Sequence, residues 1–323
     1  MTSKFGLVPA LIFVLVCNAQ AWSETTSTQA VSTFPPPQLN VKPLPPVDPD
    51  LTQKLEALVK DAKLDEMTPA AKNSDHEDEW SSICVIDMTS TSPRMAGWKM
   101  DNFLYPASTY KMYVLGEAIR QVCARERSLD DMTTVAAHNA VDSTPLAGTV
   151  LSLGEVLRLM CMYSNNTAAN VAIDTVDRRR ATALLYALDC KGSDVTRKYL
   201  PRTVEDAAFT SAPSTVTCAL HMAKFLWAVE NGVIGDGRGR GLIKGYLATN
   251  VQNYDRFRKG LPASATLYSK TGEWSNFTAE AAIVEDGSVR YIVCVMTAMP
   301  RETAAPRMAS FVKALHAMLG GQP

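Results

Sequence analysis

Ser108 and Lys111 stand three residues apart, directly ahead of an apolar run (Met112, Val114, Leu115, Ala118, Ile119) whose spacing predicts a helix. Positions i and i+3 share a helix face, so a helix opening at Ser108 holds the lysine amine beside the serine hydroxyl. The free N–H groups and positive end of that helix lie where an oxyanion would form. A nucleophile, a base and oxyanion donors are what attack on an amide carbonyl requires. Ser-x-x-Lys is short, and a serine at a helix start also serves as a plain cap. Two more polar clusters strengthen the functional reading: Ser164-Asn165-Asn166 and Ser269-Lys270-Thr271-Gly272. Each alone reads as a turn or a solvated strand end. Together they add a second hydroxyl, an amide and a second ammonium. His76, His138, His221 and His316 lie outside all three clusters, and neither G-x-S-x-G nor H-E-x-x-H occurs. A serine–lysine mechanism with no metal and no cofactor is the economical choice.

The elements that must position these residues follow from periodicity. Residues 51–63 have helical spacing, with Asp50 as the expected N-cap. Residues 81–88 read as a buried strand, Thr89 to Arg94 as a turn, and Trp98 to Leu104 as a second strand leading to Ser108. A helix is expected from Ser108 to Glu126. The region 130–210 has little strand signal: Ser152 and Glu155 form a capping box, and Asn166–Val176 and Arg180–Leu188 read as further helices. Residues 214–230 are helical. Strands are expected at Thr266–Lys270, Thr278–Glu285 and Arg290–Ala298, with Asp286-Gly287 as a hairpin turn, and a last helix at Ala309–Leu319. This order predicts an α+β fold: one antiparallel sheet built from both ends of the chain, flanked by N- and C-terminal helices, with an all-helical insert.

The 323 residues carry a net charge of -1 and no basic patch with interleaved aromatics, which argues against a nucleic-acid partner. Residues 1–21 have the pattern of an export signal: Lys4, an apolar stretch from Phe5 to Val16, then Ala19-Gln20-Ala21. Bulky Val16 before Cys17 argues against a lipid anchor. Residues 22–50, rich in Ser, Thr and Pro, read as a semi-rigid linker, and Asp75 to Glu79 as a solvated acidic loop. The predicted organisation is therefore a signal at 1–21, a linker at 22–50 and a catalytic domain at 51–323, with an α/β part (51–105 and 212–323) and a helical part (106–211). Export would leave six cysteines able to form up to three disulfides, with Cys84 and Cys294 able to pair if their strands are neighbours.

With the clusters in this order, the chain resembles the class A serine β-lactamases and the related penicillin-binding D-alanyl-D-alanine peptidases, whose signature set is S-x-x-K, S-D-N and K-T-G. Tyr163-Ser164-Asn165-Asn166-Thr167-Ala168-Ala169-Asn170 and Tyr105-Pro106-Ala107-Ser108-Thr109-Tyr110-Lys111 extend the resemblance, which runs from about residue 51 to 323. It implies that Ser108 is acylated and that Lys111 takes or relays its proton. Ser164 then protonates the leaving nitrogen, and Asn166 holds Lys111 and the substrate amide. Lys270 and Thr271, leading into Gly272, receive the substrate carboxylate. The N–H groups of Ser108 and Glu273 form the oxyanion hole. The implied substrate is a β-lactam or a D-Ala-D-Ala peptide; the signal pattern of residues 1–21 predicts an exported, periplasmic or extracellular protein, and a monomer is expected.

The chain also departs from the pattern. The family's water-activating glutamate, two residues after an arginine, has no counterpart after Arg197. Glu205 is the candidate to replace it as deacylating base; alternatively Asp206 pairs with Arg197 or Arg202 and pins the loop. Asn165 replaces an anchoring aspartate. Glu273 puts an acid where a small residue is usual, and the start of the next strand, near Phe277-Thr278, offers no arginine.

Overall fold

The computed structural model describes residues 34–66 and 80–322. The predicted export signal, the first part of the linker and the acidic loop at 75–79 lie outside the described residues. In chain order the elements are α1 (Pro49–Asp61), β1 (Ser81–Asp87), β2 (Arg94–Trp98), α2 (Lys111–Cys123), β3 (Met132–Thr134), β4 (Val150–Ser152), α3 (Leu153–Met162), α4 (Asn166–Val176), α5 (Arg178–Ala187), α6 (Ala219–Glu230), α7 (Asp236–Ala248), α8 (Phe257–Gly260), β5 (Thr266–Trp274), β6 (Phe277–Asp286), β7 (Val289–Thr297) and α9 (Arg301–Met318).

Five strands form one antiparallel sheet in the order β2-β1-β7-β6-β5, so the two ends of the chain meet at the β1–β7 pair. Both faces are covered, which is why the central strands are buried throughout instead of alternating. Ile83 and Val85 of β1, with Val293 and Val295 of β7, pack against Leu51, Leu55 and Val59 of α1 and Phe311, Val312 and Leu315 of α9. Cys84, Ile86, Ile292 and Cys294 turn the other way, into a core with Leu115 and Ile119 of α2, Leu157 of α3, Ile173 of α4 and Phe225 of α6. Burying each such side chain contributes about 1.5–3 kcal/mol. β5 is an edge strand, and its free side faces the helical block.

Several boundaries differ from expectation for identifiable reasons. The N-cap of α1 is Asp48, whose side chain accepts from Leu51 N at 2.7 Å; Pro49 at the first helical position fixes the start. β2 comes earlier than Trp98–Leu104 because Arg94 pairs with Asp87 at 3.0 Å and closes the β1–β2 hairpin. α7 carries Gly237, Gly239, Gly241 and Gly245, which hide its helical signal. The small β3–β4 pair lies within the region read as strand-poor. Residues 34–48 are tied to the body: Trp227 donates to Pro43 O at 3.0 Å, and Met95 exchanges bonds with Pro46 and Asp48 at 2.9 Å.

The disulfide expectation is corrected. Cys84 and Cys294 are directly opposed on β1 and β7, yet they and Cys123, Cys161, Cys190 and Cys218 are free thiols. Cβ atoms directly across an antiparallel pair lie about 4.5–5.5 Å apart, wider than the roughly 3.8 Å a relaxed disulfide needs.

Candidate active site

Ser108 sits in a turn, not in the first turn of an α-helix. Ala107–Tyr110 is a single 3₁₀ turn that runs straight into α2 at Lys111. The change favours the pair, because a 3₁₀ helix has three residues per turn and aligns positions i and i+3. Thr109 fastens the turn, its N–H and hydroxyl both donating to Pro106 O at 3.1 and 2.7 Å. Ala107 takes a left-handed φ of 48°, and Ser164, in the α3–α4 loop, one of 56°. Such conformations cost a non-glycine residue about 1–3 kcal/mol and persist only where the surroundings over-determine them.

Lys111 is fully buried, and its hydrogen bonds go only to neutral groups. Its Nζ donates to Ser164 O at 2.5 Å, Asn166 Oδ1 at 2.8 Å and Ser164 Oγ at 3.3 Å, and lies 4.2 Å from the centre of the Tyr199 ring. Burial, reinforced by the Lys270 charge, holds it well below the ordinary lysine range. Lys270 reaches the same hydroxyl from β5, donating to Ser164 Oγ at 2.9 Å and Thr271 O at 2.8 Å. Burial, with Arg256 adding to it, lowers Lys270 to about 8. Ser164 Oγ is thus the shared acceptor of two lysines, an arrangement able to pass a proton between them.

The free edge of β5 closes the site. A Cβ on Gly272 would fall 2.3 Å from Pro106 O and 2.9 Å from Ser108 N, so only glycine lets the strand approach the nucleophile turn. The carbonyls of Ser269 and Thr271 face away from the sheet, where Asn250 (3.2 Å) and Lys270 take them. Strand alternation points the Glu273 amide the same way, to the side on which the nucleophile turn packs. Thr271 is buried on the same strand.

Asn165 caps α4, with Oδ1 accepting from Ala168 N at 2.7 Å while Nδ2 donates to Thr144 O at 2.7 Å. The carboxylate that Asn165 lacks comes from Asp142, whose Oδ2 accepts from Asn166 N at 2.5 Å and Thr167 N at 3.2 Å. Sequence reasoning missed Asp142; no spacing ties a loop aspartate to a helix 24 residues on.

The structure places Glu205, the candidate deacylating base, in an anchoring network and not free beside Ser108. Its side chain is fully buried, with Oε1 accepting from Arg178 Nη2 and Asp206 N at 3.1 Å each, and Oε2 from Lys198 N at 3.0 Å. Burial pushes its pKa up, but these donors outweigh it and hold the carboxyl below its usual value. Both oxygens are engaged in anchoring the loop, and Asp206 joins them through Arg178 (2.6 Å) and Lys198 (3.5 Å). The wall near Ser108 is Tyr199. Its N–H donates to Asn170 Oδ1 at 2.7 Å, its ring stacks on Tyr110 with centroids 5.3 Å apart, and its hydroxyl donates to Ala107 O at 3.4 Å. The signal was available: Tyr199 is two residues after Arg197, where a glutamate was sought.

Glu273 turns to two arginines, Arg256 and Arg301. Arg256 reaches β5 from the segment ahead of α8, so an arginine lies beside this strand although the start of β6 offers none.

A two-part fold with this serine–lysine centre defines a β-lactamase/transpeptidase-type serine hydrolase, and known proteins agree. The family model described as the β-lactamase enzyme family matches residues 63–317, and the chain belongs to that family. It is 26% identical over 241 residues to β-lactamase AST-1 of Nocardia asteroides, covering 71% of this chain and 76% of that protein. Among solved structures, PBP-A superimposes with a TM-score of 0.68 at 18% identity, over 86% of this chain and 99% of PBP-A. A β-lactamase from Sphaerobacter thermophilus gives 0.70 at 19%, over 83% and 97%. A variant of PBP-A is also known as an acyl-enzyme complex with penicillin G.

Proposed function

We propose that this protein is an exported hydrolase that opens β-lactam and related amide bonds through an acyl-enzyme on Ser108. The observation that carries this reading is the buried Lys111, held below its ordinary pKa with no carboxylate on its ammonium and joined through Ser164 to Lys270. Neutral Lys111 takes the Ser108 proton. The N–H groups of Ser108 and Glu273 receive the oxyanion, and removing such a donor costs about 2.7–4 kcal/mol in well-studied hydrolases. Ser164, fed by the two lysines, protonates the departing nitrogen. Asn166 orients Lys111 and the substrate amide. The leader-like pattern of residues 1–21 supports export.

Tyr199 favours a second, narrower reading: a penicillin-binding peptidase of the D-Ala-D-Ala type, slow to release a β-lactam. A phenol held by Ala107 O and packed on Tyr110 leaves no carboxylate to activate water at that wall. Incubation with labelled penicillin and intact-mass readout tests both. Both readings predict an adduct on Ser108 that is absent from Ser108→Ala; the peptidase reading predicts that it outlasts the incubation by hours. Release within seconds would support the β-lactamase reading over the peptidase one. No adduct on the wild-type protein would overturn both. In the Tyr199→Glu variant, the adduct should be shed faster.

A further inference from the structure

β5 carries a carboxylate of its own into the region where Thr271 and Lys270 would receive one from a substrate. Ser269, Thr271 and Glu273 alternate with Lys270 and Gly272, so the Thr271 and Glu273 side chains leave the strand on the same face. Glu273 Oε2 takes Arg256 Nη2, and Oε1 takes Arg301 Nη1 at 3.1 Å. Both arginines are braced from behind. Arg301 donates to Asp255 Oδ2 and to the Tyr254 hydroxyl, each at 2.7 Å, and Arg256 Nε lies 3.7 Å from Asp255 Oδ1. Arg256 is 1% exposed, and its Nη1 is buried without a hydrogen-bond partner. A guanidinium so withdrawn from water is held for an anion, because an unpaired buried charge is costly. Glu273 itself is 47% exposed, so it can swing into solvent without unfolding anything. Glu280, on the same face of β6, is buried with Oε1 unpartnered; burial raises it to about 7, which limits its power to neutralise Arg256.

We propose that Glu273 is an internal stand-in for a substrate carboxylate: it occupies Arg256 and Arg301 in the resting protein, and a ligand's free carboxylate binds only by displacing it. The device sets specificity. A ligand with an amide or ester at that position leaves Glu273 in place, whereas a free acid must first expel a carboxylate already paired with two arginines. This deepens the acyl-transfer reading and rests on it for the direction in which ligands lie.

The test reads binding without acylation. In a Ser108→Ala background, N-acetyl-D-alanyl-D-alanine and its C-terminal amide are titrated calorimetrically into protein carrying Glu273 or Glu273→Gln, with Glu273→Ala as a second variant and thermal melts to confirm folding. The expected result is a gain of about tenfold in affinity for the acid on either substitution and no gain for the amide, since removing a like charge from a pair of arginines acts on anions alone. Equal gains for acid and amide, or no gain for the acid, overturn the proposal. Mass analysis of the Ser108 protein with penicillin reports separately on acylation, so a failed nucleophile and a failed stand-in give different results.

Discussion

Lys111 and Lys198 both bury their ammonium groups completely, but their partners differ in kind. Lys198 meets carboxylates, Asp174 Oδ1 at 2.8 Å and Asp206 Oδ2 at 3.5 Å, within the network that also holds Glu205 and Arg178. Lys111 meets a carbonyl, an amide oxygen, a hydroxyl and an aromatic face. A buried cation with counter-ions is a fastening that ties the segments carrying them together. Lys111, with no carboxylate hydrogen-bonded to its ammonium, is poised to give up its proton, because burial and the neighbouring Lys270 charge oppose the charged form more than the Asp142 carboxylate favours it. The two regions adjoin through Tyr199, the residue after Lys198, whose ring covers Lys111.

The largest effect is expected from breaking the poised side. Lys111→Met should slow adduct formation on Ser108 by about 10²–10⁴-fold, the range of a general base, while the melting temperature holds or rises. The wild-type rate has a matching pH signature. It rises with pH as Lys111 loses its proton and falls above about 8 as Lys270 loses the charge it directs at Ser164. A rate flat across that range would remove both lysines from the chemistry.

The fastened side should respond in stability instead. Glu205→Gln leaves Arg178 short of one carboxylate in a buried network. A loss of about 3 kcal/mol is expected in denaturant titration, toward the low end for broken buried pairs because Asp206 still holds Arg178. Adduct formation measured on the folded variant should be unchanged. A collapse in the release of the acyl group with stability intact would instead return Glu205 to the chemistry.

The smallest effect concerns the boundary between the regions. Asn165 uses both ends of its amide, and only its oxygen survives in Asn165→Asp. The carboxylate keeps the cap on Ala168 N but loses the donor to Thr144 O and faces that carbonyl with a charge. A loss of about 1 kcal/mol is expected by thermal or denaturant melts. A gain would mean that the helix terminus outweighs the lost bond.

The centre was legible because its residues lie close in sequence to elements with strong periodicity. Ser108 and Lys111 precede the apolar face of α2, Asn166 opens α4, and Lys270 and Thr271 ride on β5. The α+β architecture followed from the same periodicity. What was not legible depends on contacts between distant segments. Asp142 reaches α4 from a loop, Arg256 reaches Glu273 from the turn ahead of α8, and Arg178 claims Glu205 across 27 residues. Glu205 shows the same limit: an acid in a loop has no signature that separates a base from an anchor until its donors, here Arg178 and the Lys198 and Asp206 amides, are known. The helix α7 was hidden by its glycines, which tertiary packing of Ile243 and Leu247 overrides.

The bare Cα of Gly272 has a mechanical consequence. Because the strand touches the backbone of the nucleophile turn there, the sheet and the helical block share one seam at the reaction centre, with no cushion of side chain between them. A displacement of either half is transmitted undamped to the distance between Ser108 N and Glu273 N, and an error of about 1 Å in such a site can cost 10²-fold in rate. The protein gives up adjustability at that seam in exchange for a centre assembled before any ligand arrives.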